Sequence, residues 1–366
     1  MHDVILIPGD GIGPEITKAT RRVIDASGVA ITWHELEAGE RTLETKGTVL
    51  PDYVIDEIAA CQVALKGPLT TPIGSGFRSV NVALRKALDL YVNLRPARTF
   101  PRTGSRYEDI DIVIVRENTE DIYAGIEFGL DDPRTHELLG EIERLGDYES
   151  DALRRDSGLS IKLLSRFGSE RIVRWAFEYA KAQDRKKVCA VHKANIMKES
   201  DGLFLREATA VAKSYEGVVA FEDRIVDAAC MNLVLHPEDF DVLVLPNLYG
   251  DIVSDLAAGL VGGLGLAPGA NIGDKVALFE PVHGSAPKHA GKDRANPTAQ
   301  ILSATMMLKH LGYAEEALAI EDAIAHVLEE GTQVTADIMR TRTGSDTGAV
   351  GTHAFADAVI AAMHKE

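Results

Sequence analysis

The chain has 366 residues, enough for two to three domains or one large α/β domain. Its 45% hydrophobic and 26% charged content is that of a globular protein with a sizeable core. A net charge of −17 argues against nucleic acid or an anionic membrane as partner. Three scattered cysteines (Cys61, Cys189, Cys230) without a CxxC pair disfavour a disulfide framework or a thiolate zinc site and point to a reducing cytoplasm.

The opening MHDVILIPGDG lacks a basic n-region and is too briefly apolar for a signal peptide. No stretch reaches the ~18 apolar residues of a membrane span. Residues 4–7 read as a first strand, followed by a Gly-rich turn and a helix over about 14–27. Further strands are expected at 63–66, 112–115, 187–191, 241–245 and 276–279, with helices at 170–182 and 298–311. Alternating strands and helices predict an α/β protein with much parallel pairing. Residues 129–158 are polar, charged and weakly patterned; they read as an excursion from the core that serves assembly or access, or as a surface insertion.

Two segments are rich in glycine. IPGDGIGPE (7–15) follows a strand and opens a helix, but its spacing fails the dinucleotide fingerprint: Pro14 and Ile16 stand where glycine is required. It is either a plain strand-to-helix turn or a backbone lying close to a flat ligand. EPVHGSAPKHAGKDRANP (280–297) combines two glycines, three prolines, two histidines and Asn296. A backbone shaped by Gly284, Pro287 and Gly291 can offer N–H groups to an anion, and His283 and Asn296 suit a purine edge. The segment is therefore a candidate nucleotide site.

In NLYGDIVSDLAAG (247–259), Asp251 and Asp255 lie four apart at a helix start and share one face. Asp227, in RIVDAAC, is a third carboxylate. Oxygen ligands of this kind suit Mg²⁺ or Mn²⁺; a solvated helix N-terminus is the alternative reading. Lys193 follows a strand in AVHKANIMKE, facing the usual ligand crevice of an α/β sheet, where it can act as acid/base or clamp. Arg116 and Tyr123, in RENTEDIYAG, bear the same relation to the strand that ends at Val115.

Taken together, IPGDGIGPE, KGPLTTP, LRKALDLYVNLRP, RENTEDIYAG, HKANIMK, NLYGDIVSDLAAGLVGGLG and HGSAPKHAGKD…NPTA closely resemble the β-decarboxylating dehydrogenases of isocitrate, 3-isopropylmalate, homoisocitrate and tartrate. The resemblance implies a two-domain, non-Rossmann α/β fold. Residues 1–95 and 262–366 would form a large domain with the nucleotide site, 96–123 and 167–261 a smaller one, and 124–166 a clasp-like arm at a homodimer interface. It also implies active sites shared between two subunits. Arg85, Arg95 and Arg116 would hold substrate carboxylates. Asp251 and Asp255, with Asp227 of the neighbouring subunit, would hold Mg²⁺ or Mn²⁺. Lys193, also from the neighbour, would take the hydroxyl proton, and Tyr123 would protonate the enol. Ile12 and Thr71 would flank the nicotinamide, and His283, Gly284, Ser285, Ala286, Lys288, His289, Asn296 and Arg340 would line the rest of the coenzyme site.

Within that family, Ser79 and Asn81 form the S-x-N pattern of isocitrate dehydrogenases, suited to the γ-carboxylate. A hydroxyl and an amide would go unpaired against a purely apolar substituent. Lys288 stands where NAD-using relatives carry Asp, and Arg340 where NADP enzymes supply a phosphate-binding Arg, whereas Ala336 replaces a helpful Tyr. The expected reaction is oxidative decarboxylation of isocitrate with NADP, NAD being possible. The alternatives are a malate-type dehydrogenase and a non-catalytic regulatory subunit.

Overall fold

The computed structural model describes residues 1–70, 79–149 and 152–365. Its strands are β1 (His2–Ile7), β2 (Ile31–Glu35), β3 (Val63–Lys66), β4 (Val92–Arg98), β5 (Asp111–Glu117), β6 (Glu127–Phe128), β7 (Leu159–Ser160), β8 (Lys187–His192), β9 (Ala220–Ile225), β10 (Val242–Leu245), β11 (Pro268–Ile272) and β12 (Ala277–Pro281). All except β6 and β7 join one sheet, in the order β2-β1-β3-β12-β11-β4-β5-β10-β8-β9. Two parallel blocks flank an antiparallel centre: β12 pairs antiparallel with β11, β11 with β4, and β4 with β5.

That order follows from burial. β3 and β10 are buried at every position, as expected for strands covered by helices on both faces. The chain passes from the first parallel block to the second along β4 and returns along β11, so both crossings run through the sheet. Every strand expected from an apolar run is present. β4, with the polar sequence VNLRPAR, and the half-exposed β9 (AFEDRI) carry no such run.

The polar excursion is more ordered than its sequence suggests. It contains the helix Pro133–Leu145, capped by the Asp132 carboxylate on the Arg134 N–H, with Thr135 and Leu139 buried. Pro133 at the first helical turn and Asp132 before it are the start signals that weak hydrophobic patterning concealed. The short pair β6 and β7 closes the base of this excursion.

The two glycine-rich segments meet. Gly9 and Gly11 take φ of +81° and +60°, and a Cβ on Gly11 would lie 2.1 Å from the Ser285 carbonyl oxygen. The Ile12 N–H donates to that same oxygen at 2.8 Å, and Thr70 Oγ1 lies 2.7 Å from Ser285 Oγ. Asp10 completes the turn by accepting from the Thr70 and Glu40 amides. The first turn is thus packed onto the 280–297 loop, and glycine at 11 is what permits the approach.

Candidate active site

Five elements bring six of the expected side chains together. Arg95 comes from β4 and Arg116 from β5; Arg116 lies within its strand rather than after it. Arg85 comes from the helix Val80–Ala87 and Tyr123 from the 3₁₀ turn Asp121–Ala124. Asp251 and Asp255 come from the helix Asn247–Leu260, on one face as their spacing predicts.

Asp251 is the hub. One of its oxygens pairs with Arg116 and lies 3.4 Å from Arg95 Nη1, while the other accepts from the Tyr123 hydroxyl at 2.6 Å. Arg95 also reaches Asp255 at 3.6 Å and donates to Ser254 Oγ at 2.6 Å. Arg116 is fixed further by Asn247 Oδ1, which accepts from Nε at 2.9 Å and Nη2 at 2.7 Å. Its guanidinium lies 4.9 Å from the Tyr123 ring centre. Gly250 makes room for it, since a Cβ there would stand 2.5 Å from Arg116 Cγ.

The electrostatics follow from crowding. Burial, then the nearby Arg95 and Arg85, pull Arg116 down to about 9, so it stays charged at neutral pH. Burial alone would raise Asp251, but Arg116, the Tyr123 hydroxyl and Arg95 outweigh it and hold the carboxyl below its usual range. Asp255 goes the other way: burial and the Asp251 charge exceed the pull of Arg95 and raise it. Burial and the hydrogen bond to Asp251 raise the Tyr123 phenol, which keeps its proton.

Arg85 faces a second, buried network. Its Nη2 lies 3.1 Å from Glu280 Oε1, and Lys66 Nζ lies 2.5 Å from Glu280 Oε2. Asn271 donates to Glu280 at 2.7 Å and accepts from Asn93 and Asn118. Lys66 is only 1% exposed. Lys66 and Arg85 outweigh the burial penalty and hold the Glu280 carboxyl far below its usual range. Sequence reading missed this network; its one visible sign was a lysine ending the otherwise apolar strand VALK.

Between Arg85, Arg95 and the nucleotide loop lies a narrow cavity of about 80 Å³, lined also by Asn81, Glu280, His283 and Gly284. Asn81 Oδ1, Arg85 Nε and His283 Nε2 are buried without a hydrogen-bond partner among the described residues. Unpartnered polar atoms converging on a cavity are the mark of a site built for a polar ligand. Ser79 caps the helix Val80–Ala87, its Oγ accepting from the Val82 N–H at 3.5 Å. Thr71 lies outside the described residues.

The candidate coenzyme residues line the rim. His283 Nδ1 lies 3.0 Å from the Gly284 carbonyl, so Nδ1 carries the proton and Nε2 is a bare acceptor; burial lowers the ring's pKa and keeps it neutral. Ser285 is engaged with Ile12 and Thr70, and Ala286 starts the 3₁₀ turn that carries Lys288 and His289, both exposed. Ile12, His283, Gly284, Ala286, His289, Asn296 and Arg340 border one open cavity of about 390 Å³. The Asn296 amide is already committed: its oxygen accepts from Thr298 and its nitrogen donates to Asp337 at 2.9 Å. Arg340 does not stand alone. Asp346 pairs with it at 3.1 Å and with Arg294, a residue the sequence did not single out, at 2.7 Å.

Lys193 and Asp227 are paired with each other, Nζ to Oδ1 at 2.7 Å, away from the Asp251 cluster. The Lys193 hydrogen bond holds Asp227 below its usual range. Among the described residues no group of three His, Cys, Asp or Glu side chains is placed to hold a metal ion. One chain thus gathers two of the three expected carboxylates in one place and the third, with the lysine, in another. The same helix as Asp227 exposes Met231, Val234 and Leu235.

The isocitrate/isopropylmalate dehydrogenase family model matches residues 3–359. The chain belongs to this family. Among family members, it is 46% identical over 339 residues to a mitochondrial isocitrate dehydrogenase [NAD] of Dictyostelium discoideum named as regulatory, covering 92% of this chain and 87% of that one. It is 42% identical over 380 residues to the isocitrate dehydrogenase [NADP] of Archaeoglobus fulgidus (96% and 90% covered). The crystal structure of isocitrate dehydrogenase from Methylococcus capsulatus superposes with a TM-score of 0.89 at 48% identity, covering 100% of both chains. The α/β isocitrate dehydrogenase fold expected from the sequence is therefore the fold observed, and family relatives carry both NAD and NADP in their names.

Proposed function

We propose that this chain catalyses the metal-dependent oxidative decarboxylation of isocitrate to 2-oxoglutarate and CO₂, with NADP as the preferred acceptor. The observation that carries the reading is the cluster of Arg85, Arg95 and Arg116 around a Tyr123–Asp251 hydrogen bond. Three guanidiniums in one cleft match a polycarboxylate. Asn81 borders the same cleft, where its amide nitrogen could donate to a third carboxylate, as could the hydroxyl of the helix-capping Ser79, whereas an isopropyl group would offer neither of them an acceptor.

Asp251 and Asp255 fit a hard divalent cation: two carboxylates on one helix face, balanced by arginines until an ion takes their place. Asp227 would join them from a second copy of the chain, and the exposed Met231, Val234 and Leu235 beside it are the surface a homodimer would cover. Mg²⁺ or Mn²⁺ held there would supply Lewis acidity toward the substrate hydroxyl, and a nicotinamide nucleotide would serve as the hydride acceptor. The chain's own residues do the rest. The arginines fix the carboxylates. Lys193, which like Asp227 would come from the second copy, would take the hydroxyl proton in its neutral, unpaired form. Tyr123, kept protonated by its place beside Asp251, delivers a proton to the enol. A chain with all of these groups differs from a non-catalytic one, even though one relative is named regulatory.

For the coenzyme, His283 Nε2 offers an acceptor, and Lys288, with Arg294 and Arg340 once a 2′-phosphate takes the place of their shared partner Asp346, would supply cationic donors on the outer rim. A large domain of 1–95 and 262–366, a smaller one of 96–123 and 167–261 and an arm at 124–166 would open and close the cleft about β4 and β11. Three free cysteines suit a cytoplasmic setting. No helix among the described residues is long and apolar enough to cross a membrane. Initial rates with NADP and NAD at saturating isocitrate and Mn²⁺ test the coenzyme: a higher kcat/KM with NADP is expected, and a higher one with NAD overturns that assignment.

A further inference from the structure

A buried cation away from the substrate cleft joins the supports of both proton-transfer residues. Lys162, in the segment after β7, places its Nζ 3.2 Å from Asp121 Oδ1 and 3.3 Å from Asp201 Oδ1, and 4.3 Å from the ring centre of Tyr249. Both aspartates are fully buried. Each also holds backbone that leads to the chemistry. Asp121 precedes Tyr123 by two residues, takes a φ of +67°, and accepts from the Ile122 N–H at 2.8 Å and the Leu248 N–H at 2.9 Å, at the start of the helix that carries Asp251. Asp201 Oδ2 accepts from the N–H of Lys193 itself at 2.7 Å.

We propose that Lys162 is a positioning residue whose ammonium, bridging Asp121 and Asp201, fixes the Tyr123 turn and the Lys193 loop against one another. The inference rests on the roles given above to Tyr123 and Lys193. Among the described residues the two buried carboxylates share this one cation, so removing it leaves uncompensated charge on both supports. The turn at Asp121 is held in a left-handed conformation that its surroundings must enforce, and the bridge is part of that enforcement. Lys162 touches none of Arg85, Arg95 or Arg116. Its loss therefore acts on proton transfer and leaves carboxylate binding in place.

The test is Lys162→Met in the full-length protein, read two ways. In steady-state kinetics with isocitrate, Mn²⁺ and NADP, kcat falls about 10²-fold, the loss that follows a displacement of ~1 Å at a catalytic group, while the isocitrate KM stays within about threefold. The solvent deuterium isotope effect on kcat rises, because proton transfer becomes limiting. In hydrogen exchange, the Ile122, Leu248 and Lys193 amides all lose protection together. Retained kcat, a KM that rises in step with its loss, or exchange that changes at only one of the two supports overturns the proposal. If the wild-type protein does not turn over isocitrate, the functional reading falls, and the exchange experiment still decides the bridge. Should Lys162→Met not fold, Asp201→Asn cuts one arm: exchange is then faster at Lys193 and unchanged at Ile122 and Leu248, and equal protection at all three contradicts the account.

Discussion

Replacing Glu280 with glutamine keeps the shape of the side chain and removes the one negative charge between Lys66 and Arg85. Lys66 is then left fully buried with no anionic partner, only neutral acceptors such as the Gly67 carbonyl at 3.0 Å. Breaking a buried ion pair by neutralising one partner destabilises by about 3–5 kcal/mol. An unfolding entropy of about 2.1 cal/mol/K per residue over 366 residues turns this into a Tm loss of about 4–7 °C by calorimetry. Adding Lys66→Met removes the stranded cation and recovers at least half of the loss, because an apolar replacement of a buried pair is close to neutral. The effect has a defined pH dependence. The folded carboxyl titrates well below its ordinary value, so its contribution is complete above about pH 4.3 and is lost as pH falls from there through the folded pKa. The gap between wild type and Glu280→Gln is full at neutral pH and closes in acid. A loss under about 1 kcal/mol at neutral pH, no recovery in the double variant, or a gap that widens in acid refutes the reasoning.

Tyr123→Phe removes the hydroxyl that donates to Asp251; kcat with isocitrate falls about 10²- to 10⁴-fold with little change in KM, as expected for a lost proton donor. Gly250→Ala drives a Cβ into Arg116 and displaces a carboxylate clamp, raising the isocitrate KM about tenfold or more while NADP binding, followed by fluorescence titration, is unchanged. Asp346→Asn frees the exposed Arg294 and Arg340 from their shared carboxylate, raising kcat/KM for NADP about 3- to 10-fold and leaving that for NAD unaltered.

Much of the fold is written in apolar runs, which mark β1, β3, β5, β8, β10 and β12. The outer strands β2 and β9 and the two central antiparallel strands β4 and β11 are not so written. β4 carries Asn93, Arg95 and Pro96 because it crosses the sheet where the cleft opens, and its polar residues serve the cleft. The helix Pro133–Leu145 escaped notice because its buried stripe is short and its start is marked by Asp132 and Pro133 rather than by hydrophobic spacing. At the candidate site, residues in local motifs could be picked out: Asp251 and Asp255 by their spacing, and Arg116 and Tyr123 from the RENTEDIYAG motif, although Arg116 lies within β5 and Tyr123 in a separate 3₁₀ turn. Groups that matter through a distant partner were not. Lys66 and Glu280, or Lys162 with Asp121 and Asp201, are far apart in the chain and meet only after folding. Asp346 drew no attention because nothing in its own neighbourhood reveals that it pairs with two arginines of the proposed coenzyme rim.

The most direct test of the account is a comparison of initial rates on the purified protein with isocitrate and with 3-isopropylmalate, each with Mn²⁺ and each against NADP and NAD. The account predicts turnover of isocitrate with release of CO₂, at a kcat/KM at least about 10²-fold above that for 3-isopropylmalate, because the polar atoms of Ser79 and Asn81 are left unpaired by an apolar substituent. Equal or better turnover of 3-isopropylmalate, or none of isocitrate with either nucleotide, would contradict it.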